Sequence, residues 1–304
     1  MLRTALTAVV LLAAAIPACA QQESVPTQAL VTIQPKSGHA LIPSALKLSV
    51  NDRRQPLTDL RPVDPARIQI AVLMDSGLRL SVARELDDLR SFITGLPDGV
   101  EVMVGSMQYG SVRADQPFTT DHAAAAQALH MPQGLPGGSA SPYLCLSDFV
   151  KKWPEGARAG AQQKARLVLM ITNGVDPYNG STSMMNQDSP YVAAAVTNAQ
   201  RAGVAVYSIY WGGAGIGGAQ ANLSGQSYLE QMAEGSGGRL FYEGTRNPVS
   251  MKPFLDEFTK LFGEMYIASF EAPANSRRDL VRVKLSGPGI KVQAPEAVLP
   301  GNRE

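Results

Sequence analysis

Three short polar segments carry the residues whose types and spacing could do chemistry. Their candidate residues are Asp75, Ser76, Arg79, Ser139, Ser141, Asn173 and Asp176. Carboxylate, hydroxyl and amide oxygens are the ligands that Mg²⁺ prefers, and they also bind polar groups of a partner. If the fold brings the segments together, they form an oxygen-lined cup, called the polar cup below.

The apolar runs that precede two of these segments predict how they are positioned. Residues 68–74 and 166–172 are nearly continuous apolar stretches of strand length, typical of strands covered on both faces. From residue 65 onward such strands alternate with helical patterns. We predict an α/β fold with a doubly wound, mostly parallel sheet and helices on both faces. Ligands of such sheets bind beyond the carboxyl ends of the strands, which places the polar cup there.

Helix signals lie between the predicted strands. One apolar stripe recurs at spacings of three and four residues and consists of Val82, Leu86, Leu89, Ile93 and Leu96. Gly203 predicts the end of the helix before the strand at 204–210. Ser227 and Glu230 have capping-box spacing and predict the start of a short helix.

Short β segments flank the α/β pattern on both sides. Alternating apolar and polar residues predict N-terminal β segments in 21–64 and a C-terminal β extension in 266–304. The domain between them is predicted to span residues 65–265. We expect the two β ends to pack with each other.

Residues 1–20 read as a secretory signal peptide. Arg3 is followed by an apolar run at 6–16, which is too short to span a bilayer, and by a small-residue cleavage site ending at Ala20. We expect an exported protein, periplasmic or secreted. The alternative is a lipoprotein in which Cys19 is lipidated and retained. No other segment has the length and apolar character of a transmembrane span.

Composition excludes several function classes. The chain has 27 Lys and Arg against 26 Asp and Glu, so a basic nucleic-acid groove is not expected. After removal of residues 1–20 only Cys145 remains, and its apolar neighbours predict a small buried side chain. The three histidines have no second His or Cys at zinc-ligand spacing.

Several stretches resemble the von Willebrand factor A (VWA) family, in particular its divergent secreted bacterial relatives. They are "VLMDSG", "PGGSASPYLCLSDFVKKWP", "LVLMITNG", "VAVYSIYW", "YLEQMAEGSGGRLFY" and "FLDEFTKLFGEM". The resemblance covers roughly residues 65–265. It implies a VWA-like fold and a metal-ion-dependent adhesion site built from D-x-S-x-S, a Thr and a second Asp.

This chain departs from that metal-site pattern. If Asp75 matches the first Asp, Gly77 and Arg79 stand where the two Ser ligands belong, and Asn173 replaces the second acid. A dehydrated dication would lack compensating negative charge, so we expect a degenerate site and no resident cofactor. Arg79 could instead present a fixed positive charge to a partner carboxylate.

Other roles for the polar cup stay open. Asp176 could complete a Mg²⁺ site whose ligands would then be Asp75, Ser139 and Asp176. The purely structural alternative makes Asp75 an N-terminal helix cap, and Ser139 and Ser141 turn or cap hydroxyls.

Two enzyme-like signals are weak. Gly213, Gly215 and Gly218 fit the dinucleotide spacing, but we expect no helix before Ser227, whereas a fingerprint opens its helix within the glycines. A serine hydrolase using Ser139, with His122 or His130 as base, lacks the strand that should precede a nucleophile elbow.

The sequence therefore predicts an exported, non-enzymatic, protein-binding module of adhesion type with a VWA-like domain. Its expected partner is another envelope or extracellular protein, bound through the upper loops. The loop at 173–190, with Tyr178, Met184 and Met185, has a composition typical of protein recognition. The alternatives are a Mg²⁺-dependent adhesion module completed by Asp176 and, behind it, the serine hydrolase.

Overall fold

The computed structural model describes residues 23–132, 141–154, 164–177, 188–212, 218–244, 247–274, 277 and 279–301. The predicted signal peptide with Cys19, the serine Ser139 and residues 178–187 lie outside these ranges. The strands are β1 Ser24–Pro35, β2 Lys47–Val50, β3 Arg53–Gln55, β4 Leu57–Pro62, β5 Ile68–Asp75, β6 Glu101–Gln108, β7 Ser111–Thr119, β8 Ala165–Thr172, β9 Val204–Tyr210, β10 Leu240–Phe241, β11 Met265–Pro273, β12 Val281–Ser286, β13 Ile290–Gln293 and β14 Ala297–Val298. The α-helices are α1 Leu86–Thr94, α2 His122–Ala128, α3 Pro142–Lys151, α4 Pro190–Ala202, α5 Gly218–Ser236 and α6 Lys252–Leu261.

A six-stranded central sheet forms the middle of the molecule. Its strand order is β10-β9-β8-β5-β6-β7, with every pair parallel except the antiparallel pair of β6 and β7. The predicted doubly wound, mostly parallel sheet is confirmed. Within this sheet the chain first forms β5, then the neighbouring β6 and the edge strand β7, and then crosses back to form β8 on the other side of β5. The order therefore reverses between β5 and β8, which is where ligands bind in this class of sheet.

Helices cover both faces of the central sheet because its strands are apolar on both sides. Side chains of α1, α2 and α6 pack on one face, and side chains of α3, α4 and α5 pack on the other. The predicted stripe from Val82 to Leu96 is buried at all five positions. Its first residue lies in a 3-10 turn, Leu80–Glu85, directly before α1.

The predicted helix start at Ser227 is wrong. Helix α5 begins at Gly218, nine residues earlier, and the Ser227 hydroxyl accepts a hydrogen bond from the Gln231 side chain inside the helix. Ala219 and Ala221 are strong helix formers, so the helix extends through them. The third glycine of the dinucleotide spacing, Gly218, thus opens a helix, contrary to the expectation, while Gly213 and Gly215 lie outside the described ranges.

The two β ends form two further sheets that stack on the central domain. The joining sheet has the order β13-β1-β11-β4, and the outer sheet has the order β14-β12-β2-β3. One face of the joining sheet contributes Leu30 and Ile267 to the core shared with the central domain. Its other face packs on the outer sheet around Phe270. The expected packing of the two ends is confirmed.

Arg239 fastens the central domain to the joining sheet. Its guanidinium donates to the side-chain oxygens of Gln34 and Gln293 at 2.6 and 2.8 Å and pairs with Glu257 of α6. Gln34 lies in β1 and Gln293 in β13, so one side chain links three elements. These contacts of Arg239 link the joining sheet to the central domain.

Candidate functional site

Asp75 and Thr172 meet at the point where the strand order reverses. Asp75 ends β5 and is 2% exposed, and Thr172 ends the adjacent β8. The Thr172 hydroxyl donates to Asp75 Oδ2 at 2.7 Å, and the Gly77 amide donates to Oδ1 at 2.8 Å. The acid therefore anchors its own turn and the neighbouring strand. The expected helix-cap role of Asp75 is replaced by this turn contact, because a 3-10 turn separates Asp75 from α1.

A tight turn follows Thr172 and rests on a buried tyrosine. Gly174 has φ +67, and a Cβ there would collide with the backbone of Gly225 in α5, so only glycine fits. The Gly174 amide donates to Thr172 Oγ1 at 3.0 Å, and its carbonyl accepts from the Tyr143 hydroxyl at 2.9 Å. Burial, then the charge of Asp176, raises the pKa of Tyr143 well above its ordinary value. The phenol stays neutral and serves as a donor.

Asp176 is tied to the start of α4. It is buried and accepts a hydrogen bond from the Ser189 hydroxyl at 2.6 Å. Ser189 is the N-cap of α4 and accepts from the Tyr191 and Val192 amides. The positive end of the helix dipole and the cap hydroxyl both favour a carboxylate here. Asn173 shapes the intervening turn, because its Oδ1 accepts from the Val175 amide at 2.9 Å.

The other predicted residues have different positions. Ser76 is buried, and its amide donates to the Met107 carbonyl of β6. Ser141 is fully buried at the N-cap of α3, but its hydroxyl makes no cap hydrogen bond and finds no partner among the described residues. Arg79 is exposed and forms no ion pair with them. Ser139 lies outside the described ranges.

Sequence reasoning missed three residues that build the site. Thr172, Tyr143 and Ser189 supply the hydroxyl groups that bind Asp75, Gly174 and Asp176. Thr172 could have been found, because it is a hydroxyl residue at the carboxyl end of an apolar strand. Tyr143 and Ser189 carry no such signal, since their roles depend on how α3 and α4 pack.

Large apolar side chains are exposed beside this site. Among the described residues the exposed ones are Ile42, Leu80, Tyr109, Leu223, Tyr242 and Val249. All but Ile42 lie on segments that follow the carboxyl ends of the central strands, called the carboxyl edge below. Four strand spacings of about 4.8 Å separate β6 from β10, so the strand ends that these segments follow span about 19 Å.

Tyr109 is exposed to solvent in a backbone conformation that is unfavourable for tyrosine. It lies in the two-residue turn between the paired residues Gln108 and Ser111, with φ +51, and Gly110 follows with φ +80. Two positive φ values define a type I′ turn, in which Asn-Gly is the preferred pair. A tyrosine in the left-handed region is uncommon, and this one is 77% exposed, so packing does not account for it.

Cys145, His122 and His130 of the central domain make contacts outside the site described above. Cys145 is buried and free, as predicted, and burial followed by the charge of Asp75 raises the pKa of its thiol to about 12. The His122 ring contacts the Val100 carbonyl at 2.8 Å, and the His130 ring contacts the Met131 carbonyl at 2.8 Å. Each imidazole is thus engaged with backbone.

Two features are absent from the described ranges. No cluster of three or more His, Cys, Asp or Glu residues there could hold a metal ion. No helix in the same ranges has the length and apolar character needed to cross a bilayer.

Comparison with known proteins gives structural likeness without sequence likeness. No family model matches the chain, and no curated protein matches it. An aerotolerance-related membrane protein from Bacteroides fragilis is similar over 64% of this chain and 98% of its own, with 12% identity and a TM-score of 0.44. Proximal thread matrix protein 1 from the mussel byssus is similar over 66% of this chain, which spans about half of that protein (48%), with 18% identity and a TM-score of 0.45. The VWA domain of SpRpn10 is similar over 64% of this chain and 96% of its own, with 12% identity and a TM-score of 0.40. A VWA domain is thus among the solved structures that this α/β fold is similar to.

Proposed function

We propose that the chain is an exported, non-enzymatic, VWA-like module that binds another envelope or extracellular protein through its carboxyl edge. The observation that carries this proposal is the gathering of exposed apolar side chains there. Leu80 is 74% exposed, Tyr109 77% and Val249 96%. Contiguous exposed apolar surface is a mark of protein–protein interfaces, and aromatic side chains are enriched in them.

Binding at this edge is proposed to need no metal. Asp75 already has a hydroxyl and an amide as donors, and Gly77 and Arg79 provide no hydroxyl where the family pattern has serine. The Asn173 side-chain oxygen is used by the Val175 amide. These residues do not fit a tight Mg²⁺ site, because one carboxylate cannot offset the dehydration of a dication.

Arg79 is proposed to supply the positive charge that a metal would otherwise offer. It is exposed directly before Leu80, so a partner carboxylate could pair with it beside the apolar contact. We expect Arg79→Ala to weaken partner binding by about fivefold and to leave stability nearly unchanged. Unchanged affinity would remove Arg79 from the interface.

One observation favours the metal-dependent alternative. The buried Asp75 carboxylate accepts a hydrogen bond from Thr172, and the buried Asp176 follows Thr172 by four residues, so two carboxylates lie at the end of β8. If both faced a shared ion, 10 mM Mg²⁺ would stabilise the protein strongly. We instead expect a gain below about 0.4 kcal/mol, corresponding to a dissociation constant of about 10 mM or weaker.

Partner capture from an envelope extract tests the proposal. A Leu80→Ser/Tyr109→Ser double variant should lose the captured protein, whereas Ile42→Ser should retain it. Ile42 is the matched control, because it is 57% exposed and lies outside the carboxyl edge. Capture should also survive EDTA. Loss with EDTA supports the Mg²⁺ alternative, and equal capture by both variants contradicts the role of the edge.

We propose export because residues 1–20 have the pattern of a secretory signal peptide, and a separate experiment tests it. Mass spectrometry of the mature N-terminus should find a chain that starts at Gln21. A lipid-modified Cys19 at the N-terminus would instead establish the lipoprotein alternative.

A further inference from the structure

A cleft of about 950 Å³ lies between the outer sheet and helices α4 and α5, away from the carboxyl edge. That volume is at the upper end of the range for ligand pockets. Helix residues such as Val196 and Gln200 form one wall, and β12 with the chain from β13 to β14 forms the other.

The outward face of the outer sheet is cationic. Its outward-pointing residues on β2, β3 and β12 are Lys47, Ser49, Arg54, Arg282, Lys284 and Ser286. Lys284 is paired with Ser49, and Ser49 with Arg54, so one row crosses three strands. Arg282 and Lys284 line the cleft and are two strand residues apart, a separation of about 7 Å. Every second side chain of an extended peptide has the same spacing.

Carboxylates on both walls exclude a polyanion. Glu234 of α5 and Glu296, directly before β14, both line the cleft and are exposed. Neither forms an ion pair within the part of the chain that the structure describes. Asp52 approaches Arg282 only at 4.0 Å, with both side chains largely exposed. A ligand rich in negative charge would meet these carboxylates, whereas one with acids on a single side would not.

The edge of β12 offers backbone pairing inside the cleft. The Asn51 amide donates to the Arg282 carbonyl, so Val283 and Leu285 turn their backbone groups away from β2. The Val283 amide is taken by the Glu296 carbonyl, and β14 pairs no further along β12. Beyond this point, at Leu285, the edge lines the cleft and pairs with no strand of the described ranges.

Apolar side chains lie beside that edge. Val283 and Leu285 belong to the core between the two β sheets, and Val292 and Ala294 are only partly buried against it while lining the cleft. An added strand would place alternate side chains over this apolar seam. The intervening side chains would lie on the face of Lys284, with Arg282 two residues further along β12.

We propose that this cleft binds an extended peptide segment of a partner, in which acidic and apolar residues alternate, and that the segment pairs with the β12 edge at Leu285. Backbone hydrogen bonds to Leu285 hold the segment. Its acids pair with Arg282 and Lys284, and its apolar residues cover Val292 and Ala294. The proposal is independent of the carboxyl edge.

Two blocked, fluorescently labelled peptides of equal composition test it by anisotropy. Thr-Glu-Val-Glu-Val-Thr alternates, whereas Thr-Glu-Glu-Val-Val-Thr does not. We expect the alternating peptide to bind about tenfold more tightly, since only it presents both acids on one side. Lys284→Glu should weaken it about fivefold and favour Thr-Lys-Val-Lys-Val-Thr instead. Lys260→Glu on α6, which is exposed and does not line the cleft, should change nothing.

Hydrogen exchange separates strand addition from loose charge attraction. The Leu285 amide should exchange more slowly in the presence of the alternating peptide, and the thermal midpoint of Lys284→Glu should match that of Lys260→Glu. Equal affinity for the two peptides would overturn the proposal. So would unchanged exchange at Leu285, or no saturable binding of either peptide.

Discussion

Replacing Tyr109 with asparagine should make the protein more stable while impairing its proposed function. Tyr109 has φ +51 at the first central position of the type I′ turn, and Gly110 has φ +80. Non-glycine residues pay about 1–2 kcal/mol in the left-handed region, and asparagine pays less because its short amide bonds to the local backbone. The turn therefore stores energy that an Asn-Gly pair would release.

The expected gain follows from two opposing terms. Relief of the backbone cost is worth about 1 kcal/mol. Since the tyrosine is 77% exposed, truncating it forfeits little burial, about 0.5 kcal/mol or less. Tyr109→Asn should therefore raise the free energy of unfolding by about 0.5 kcal/mol. Tyr109→Ala loses the same contacts without the asparagine advantage, so the two variants should differ by about 1 kcal/mol.

Urea unfolding followed by far-UV circular dichroism measures both variants. Tyr242→Asn is the control, because Tyr242 is about half exposed at the same edge but does not have a positive φ. It should show no gain. Equal stability of the Asn and Ala variants at position 109 would refute the claim that the turn is strained, and normal partner capture by Tyr109→Asn would show that the strain does not serve binding.

Three further predictions concern stability. Thr172→Val removes the donor to the buried Asp75 carboxylate and should cost about 3 kcal/mol in urea unfolding; Thr94→Val, at an exposed helix position, should stay within about 0.5 kcal/mol of the parent. The pKa values of Cys145 and Tyr210 are raised by burial to about 12, so the unfolded chain releases these protons first, and the free energy of unfolding should fall as pH rises from about 9 towards 12. A flat urea midpoint between about pH 8 and pH 10.5 would contradict that burial. Arg239→Met keeps the apolar stem but leaves two glutamine oxygens without their donor, and should lower the thermal midpoint by an amount equivalent to about 2 kcal/mol.

Much of the central sheet could be predicted from the sequence because its pattern is local. A strand covered on both faces must be apolar throughout, so the apolar runs at 68–74 and 166–172 indicate β5 and β8. Their adjacency then places Asp75 and Asn173 at one edge, which sequence reasoning also reached. The position of Thr172 at the end of an apolar strand marks it as a candidate, but its hydrogen bond to Asp75 could not be predicted, because the strand pattern does not give the side-chain geometry at the sheet edge. The capping signal at Ser227 predicts a later start of α5 than the structure has, because it does not account for the helix-forming residues that precede it.

The two proposed surfaces make opposite demands on solvent conditions, and this difference tests whether they act separately. Contact through Leu80, Tyr109 and Val249 removes apolar area from water, which added salt does not weaken. Pairing of a peptide with Arg282 and Lys284 is exposed and is screened within a Debye length of about 10 Å at 0.1 M salt. A partner that used only the carboxyl edge should lose at most the roughly fivefold contribution of Arg79 at high salt, whereas a peptide in the cleft should be released. A partner that engaged both surfaces would lose affinity with salt only down to the level set by the edge. Lys284→Glu would then reduce the salt dependence to the part that Arg79 contributes, without abolishing binding.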